Sequence, residues 1–159
     1  MKVMVVYDSV FGNTEKIGQA IGAAVGSIDD VKTLRINKVK PEQVLGVDYL
    51  IVGSPTRQFN PTGAINNFLK SIPSNGLKGV NVTAFDTRIA LSDINSSIGR
   101  FFIRTFGYAA EKMQRKLEKM GGKPIIPPEG FLVNGAEGPL KSGELERAGE
   151  WAKQICAPG

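Results

Sequence analysis

Ser9-Val10-Phe11-Gly12-Asn13-Thr14-Glu15 decides how the rest of the chain is read. It follows the apolar run Val3-Met4-Val5-Val6-Tyr7. It opens a segment whose apolar residues recur at helical spacing, Ile17, Ala20, Ile21, Ala24 and Val25. A buried strand, a tight turn and an amphipathic helix follow from that pattern. Gly12 lets the backbone bend close to a ligand, and the helix start presents unpaired N–H groups. Such a start favours an anion, most often a phosphate. Ser9, Asn13 and Thr14 also serve as ordinary helix caps, so this stretch alone leaves both readings open.

Further along, Val31-Lys32-Thr33-Leu34-Arg35-Ile36 alternates apolar and polar residues, as a half-covered edge strand does, after a turn at Gly26-Ser27 and Asp29-Asp30. Pro41 and Glu42 start a short helical turn through Val44 and Leu45. Tyr49-Leu50-Ile51-Val52 suits a central parallel strand. It ends in a second polar loop, Gly53-Ser54-Pro55-Thr56-Arg57-Gln58-Phe59-Asn60-Pro61. Ala64, Ile65, Phe68, Leu69 and Ile72 predict a helix that Pro73 to Gly76 stop. Val80 to Phe85 reads as a strand ending in a third polar loop, Asp86-Thr87-Arg88.

The segment Ile89 to Tyr108 mixes loop-like polar residues with Phe101, Phe102, Ile103 and Phe106, which need burial. A lid and a dimer surface are both open for it. Phe106, Ala109, Ala110, Met113, Leu117 and Met120 then predict a helix ending at Gly121-Gly122. A last strand begins at Lys123-Pro124-Ile125-Ile126, is interrupted by Pro127, Pro128 and Gly130, and resumes at Phe131-Leu132-Val133. After Ser142 comes a final helix carrying Leu145, Ala148, Trp151, Ala152 and Ile155, with Glu144 and Glu146 in its first turn.

Strand–helix units repeated about five times make a parallel sheet with helices on both faces, here as a single domain over residues 1–159. In such folds ligands sit beyond the carboxyl ends of the strands, where strand order reverses. The first, third and fourth strands all end in polar loops. That convergence favours a bound phosphate-bearing ligand over simple capping.

Composition narrows the chemistry. The chain has 159 residues, no histidine and one cysteine, Cys156. Serine–histidine triads, histidine metal sites, cysteine clusters and internal disulfides are all excluded. Cys156 is expected to be a packing residue. Demanding chemistry therefore belongs to a cofactor. No secretory pattern or membrane-spanning run is present, so a cytoplasmic location is the expectation. Residues 88–123 carry eight cations (Arg88, Arg100, Arg104, Lys112, Arg115, Lys116, Lys119, Lys123) against Asp93, Glu111 and Glu118, which accounts for the net charge of +5. A solvated helix face and a docking patch are both consistent with this. No nucleic-acid reading motif accompanies the charge.

The turn lacks both the nucleoside-triphosphate loop pattern and the three spaced glycines of a dinucleotide site. Gly18, Gly22 and Gly26 instead suit close packing of the helix on the sheet. Asp8 stands alone, so a phosphoacceptor site is not indicated. Tyr7 to Glu15 resembles the FMN phosphate loop of the flavodoxin-like family, Ser/Thr-x-Ser/Thr-Gly-x-Thr. Gly53-Ser54-Pro55-Thr56-Arg57 resembles the flavin-contacting loop of the same superfamily, particularly its quinone reductase branch. The resemblance implies an α/β, doubly wound five-stranded parallel sheet of order 2-1-3-4-5, and FMN as cofactor.

Carried over by position, Ser9, Gly12, Asn13 and Thr14 hold the phosphate through hydroxyls and N–H groups, and Val10 and Phe11 add N–H groups. Ser54, Pro55, Thr56, Arg57, Gln58 and Phe59 border the ring. Asp86, Thr87 and Arg88 reach its other side. Phe11 replaces the usual second hydroxyl, Phe59 is the only aromatic in the ring loops, and the basic charge departs from the usual acidic surface. The implied role is an electron carrier with a redox partner protein. The basic 88–123 region fits an acidic partner. An NAD(P)H-dependent reductase of quinones is the alternative, and a flavin-free interaction module the lesser one. Arg57 or Arg88 beside the ring would raise the flavin potential.

Overall fold

Alternation along the first strand sets the layers. In the computed structural model, which describes residues 1–26, 30–155 and 157, β1 (Lys2–Tyr7) sends Val3, Val5 and Tyr7 to one face and Met4 and Val6 to the other. All five are buried, as a central strand's side chains must be. On the first face they meet Ile17, Ile21 and Val25 of α1 (Asn13–Val25) and Ala148, Trp151 and Ala152 of α5 (Glu144–Lys153). On the second they meet Ile65, Phe68 and Leu69 of α2 (Gly63–Ser71) and Ala109, Met113 and Leu117 of α4 (Ala109–Lys119). Each fully buried large side chain contributes about 1.5–3 kcal/mol, so the two cores fix which way every strand faces.

The sheet order is β2 (Asp30–Arg35), β1, β3 (Tyr49–Pro55), β4 (Asn81–Ile89), and these strands pair in parallel. The fifth place is shared. Strand β5 (Lys123–Pro124) pairs with Asn81 and Val82, and β6 (Glu129–Val133) pairs with Phe85 to Ile89. Pro127 and Pro128 lie between them and cannot donate to a ladder. The expected doubly wound 2-1-3-4-5 sheet is what folds, with its last strand in two pieces. The reversal of order lies between β1 and β3.

Gly18 and Gly22 do admit close packing. A methyl group on Gly22 would lie 2.0 Å from Thr33 Oγ1, and one on Gly18 3.2 Å from Tyr7 Cδ1. Gly26 differs: it follows α1, where its N–H donates to Ala23 O. Cys156 and the turn at residues 27–29 lie outside the described residues.

Two expectations are corrected. Asp86-Thr87-Arg88 is not a loop but the continuation of β4, because β6 lies alongside it with Asp86 opposite Gly130 and Arg88 opposite Leu132. The helical run from Phe106 is two helices. Gly107, at φ 75°, ends α3 (Ser97–Phe106), and α4 starts afresh at Ala109. No residue of α3 is buried, so the burial expected for Phe101, Phe102 and Phe106 is not found. No described helix is long and apolar enough to cross a membrane.

Candidate functional site

The turn after β1 is built by Ser9. Its buried hydroxyl accepts the N–H groups of Gly12 (3.1 Å) and Glu15 (3.3 Å), while Asp8 Oδ1 accepts the N–H of Ser9 (2.9 Å). Arg35 of β2 donates to Ser9 O and lies 3.7 Å from Asp8, pinning the loop from the neighbouring strand. Gly12 has φ 92°, a left-handed conformation that glycine adopts without strain, and open space faces it. Among the described residues, the N–H groups of Val10, Phe11, Asn13 and Thr14 have no partner. Four donors at a helix start are an anion-binding array.

Thr14 and Thr87 join this turn to the end of β4. Both hydroxyls are buried and lie 2.8 Å apart. Two hydroxyls have two protons, and their mutual bond uses one. The other is available to a ligand.

The loop after β3 is a two-residue hairpin. Arg57 and Asn60 exchange backbone hydrogen bonds (2.8 and 2.9 Å), and the two residues between them, Gln58 and Phe59, have φ 47° and 69°. Positive φ at both central positions is the type I′ geometry, usually given to Asn-Gly. Gln-Phe adopts it at a cost of about 1–2 kcal/mol per residue. One distant and one local bond hold it: Lys112 Nζ of α4 donates to Phe59 O (2.5 Å) and Asn60 Nδ2 to Gln58 O (3.0 Å).

These parts enclose a cleft of about 590 Å³, within the range of cofactor sites. Phe11, Asn13, Thr14, Pro55, Thr56, Arg57, Gln58, Thr87 and Arg88 face it. Ile89, Val133, Ala136 and Glu137 form a wall that the sequence reading missed. Asn13 Nδ2 donates to Glu137 O (3.0 Å), a contact across 124 residues that no local pattern announces.

Three expected ring-lining residues do other work. Ser54 is fully buried, and its hydroxyl accepts Thr62 N–H (3.0 Å) and donates to Pro55 O (2.9 Å), shaping the loop from behind. Asp86, also fully buried, accepts Arg88 Nε (2.6 Å), Ala110 N–H (2.9 Å) and Thr56 Oγ1 (3.2 Å). Burial pushes its carboxyl up, against the pull of Arg88. Phe59 lines a neighbouring pocket and packs at a tilt against Phe102 and Phe106, with ring centres at 6.1 and 5.8 Å. Arg88 reaches the cleft with its charge already compensated by Asp86 and by Glu111 at 3.4 Å, and with its guanidinium 3.8 Å from the Tyr108 ring centre. Arg57 has no carboxylate partner among the described residues and lies 5.8 Å from the Phe11 ring centre.

A sequence model of the flavodoxin family matches residues 5–151. The chain belongs to the flavodoxin family. A flavodoxin of Aquifex aeolicus (strain VF5) is 37% identical over 57 residues, which are 35% of this chain and 31% of that protein. The matched part thus spans about a third of that relative's length. Among solved structures, a flavodoxin from the domain Archaea superposes with a TM-score of 0.76 at 22% identity, over 98% of this chain and 96% of the other. The two-electron reduced flavodoxin of Megasphaera elsdenii superposes at 0.67 with 25% identity, over 94% and 97%. The archaeal likeness is one of fold. Flavodoxins bind FMN, and the parts of this site suit that group: a donor array at a helix start for the phosphate, and beside it a cleft lined by Pro55 to Gln58 and Thr87 to Ile89 for the ring.

Proposed function

We propose that this flavodoxin-family chain is an electron carrier that holds FMN in the cleft at the ends of β1, β3 and β4. The observation that carries the reading is the run of unpartnered N–H groups at Val10, Phe11, Asn13 and Thr14, beside a 590 Å³ cleft that Phe11, Asn13 and Thr14 line. Ser9 holds the turn in its donor-outward shape, and Thr14 gives its hydroxyl proton to a phosphate oxygen. Pro55, Thr56, Arg57 and Gln58 border one side of the ring, and Thr87 and Arg88 the other. Ser54, Phe59 and Asp86 position these loops from behind. When bound, FMN supplies one- and two-electron chemistry, and the protein sets its orientation and potential. Arg57, without a carboxylate partner among the described residues, stabilises negative charge that develops nearby.

A reductase of small acceptors is the second reading. It draws on the apolar pocket of about 140 Å³ beside the cleft, formed by Thr56, Gln58, Phe59, Ile89, Ile94, Ile103 and Tyr108. Anaerobic addition of NADH or NADPH to the flavin-loaded protein separates the two. A carrier keeps its colour for minutes without a partner reductase, whereas a reductase bleaches at once.

A further inference from the structure

Helix α3 is an amphipathic helix that only Phe59 partly covers among the described residues. Its ten residues include none that is buried, and Ile98 and Phe101, one turn apart, are 68% and 62% exposed. Phe102 and Phe106 stack at 5.8 Å with an interplanar angle of 12°, and both approach Phe59. The helix is nevertheless anchored: Ser96 Oγ caps it through Gly99 N–H (3.2 Å), and Arg100 donates to Ile94 O (2.6 Å). The result is a continuous apolar strip from the hairpin beside the cleft to the tip of α3. Exposed apolar strips of this kind mark interaction sites.

The strip's surroundings are basic. Arg104 follows Phe101 by three residues, and Lys112 reaches Phe59 O from α4. Arg115 and Lys116 continue along α4. None of these four cations has a carboxylate within ion-pair distance among the described residues. Lys116 is held by Asn66 Oδ1 (2.7 Å). Opposite charge on a partner is what such a rim selects.

We infer that the Ile98–Phe101–Phe102–Phe106 strip with its Arg104–Lys112–Arg115 rim is the docking surface for an acidic redox protein whose contact patch is apolar at its centre. The inference rests on the electron-carrier reading, since Phe59 and Gln58 join the strip to the cleft and bring a docked partner beside the ring. A second copy of the chain fits poorly, because a two-fold contact sets these cations against themselves. A membrane fits poorly too. Ile98 and Phe101 project furthest, while Phe102 and Phe106 lean on Phe59, and two fully projecting side chains are few to anchor a helix in lipid.

The test compares the flavin-loaded protein with an Ile98→Ser/Phe101→Ser variant and an Arg104→Glu/Arg115→Glu variant. All four residues lie outside the cofactor site. Calorimetric titration at low ionic strength uses a small acidic ferricytochrome c and a basic one of similar size. This readout needs no flavin, so it stands even if the cofactor reading falls. Oxidation of the reduced protein by both cytochromes and by benzoquinone is then followed by stopped flow. The expected result is preferential binding of the acidic cytochrome, weakened at least fivefold in both variants, with its electron-transfer rate falling in parallel and the benzoquinone rate unchanged. Equal binding of the two cytochromes, or unaltered binding in the variants, overturns the inference. So does co-sedimentation with phosphatidylglycerol vesicles, or a dimer, that the Ile98→Ser/Phe101→Ser variant abolishes while cytochrome binding persists.

Discussion

The hydroxyls of Thr14 and Thr87 lie 2.8 Å apart in the interior, one at the start of α1 and the other near the end of β4. This bond links the turn proposed to hold the phosphate to the strand proposed to border the ring, and so couples the two parts of the proposed site. Replacing Thr14 with Val removes both the bond and a donor to the phosphate. Hydrogen bonds to charged groups contribute about 1.5–3 kcal/mol, so the FMN dissociation constant should rise roughly tenfold to a hundredfold. Thr87→Val should lower stability by about 1 kcal/mol and change FMN affinity far less, because Thr14 keeps its hydroxyl. Fluorescence titration of the two variants checks this, and equal losses would remove Thr14 from the phosphate site.

Arg57 and Arg88 should behave differently although each stands near a strand end. Arg57 has no carboxylate partner among the described residues, and a cation near a developing anion contributes on the order of 1 kcal/mol, or about 40 mV for one electron. Arg57→Ala should lower the potential of the couple that forms the anionic flavin by about that amount and leave stability nearly unchanged. Arg88→Ala strips the partner from a fully buried carboxylate, which should cost about 3–5 kcal/mol. Spectroelectrochemistry and urea unfolding separate the two effects. A potential unmoved by Arg57→Ala contradicts its tuning role.

Gly53 of β3 is where the Phe85 ring rests. An added methyl group would lie 2.1–2.5 Å from three of its ring carbons, and both residues are buried. Gly53→Ala should destabilise by about 1–3 kcal/mol through overpacking. Adding Phe85→Leu should recover part of the loss, although Phe85→Leu alone destabilises. Chemical unfolding of the three variants gives the coupling, and strictly additive losses would refute the contact.

Glu144 carries a pH dependence. Burial raises its pKa, but hydrogen bonds from Arg147 (3.0 and 2.7 Å) and the Leu132 N–H (2.7 Å) outweigh that and hold it below its ordinary value of 4.5. A carboxyl depressed in the folded state adds stability that is present above pH 4.5 and is lost as pH falls through the folded value. Glu144→Gln should therefore lower stability at neutral pH by about 2 kcal/mol and flatten the acid limb of the stability profile. Thermal unfolding between neutral and acid pH measures it. An unchanged acid limb would show that other carboxyls set it.

The sheet and its ligand end were legible because their signals are local. The buried run of β1, the Gly12 turn and the polar loop after β3 each declare themselves within a few residues, and two such loops on neighbouring strands define a site. What escaped depends on contacts distant in sequence. Asp86 to Arg88 look like a loop until β6 pairs with them. The packing of Phe59 against Phe102 and Phe106 has no local signal either. The wall at Ala136 and Glu137 has no motif, and only Asn13 reaching across the cleft shows that it belongs. Helix α3 escaped for another reason. Its phenylalanines predict burial, and among the described residues only Phe59 partly covers that face.

The central claim is that the cleft holds FMN, and the purified protein tests it in one measurement. Its visible absorption spectrum is recorded, and any flavin released on denaturation is identified and quantified, with added FMN titrated into the remainder. The account predicts near-ultraviolet and blue bands from an oxidised flavin, with FMN recovered at close to one per chain after saturation. A colourless protein that also fails to bind added FMN would leave the flavodoxin fold in place and contradict the function assigned to it.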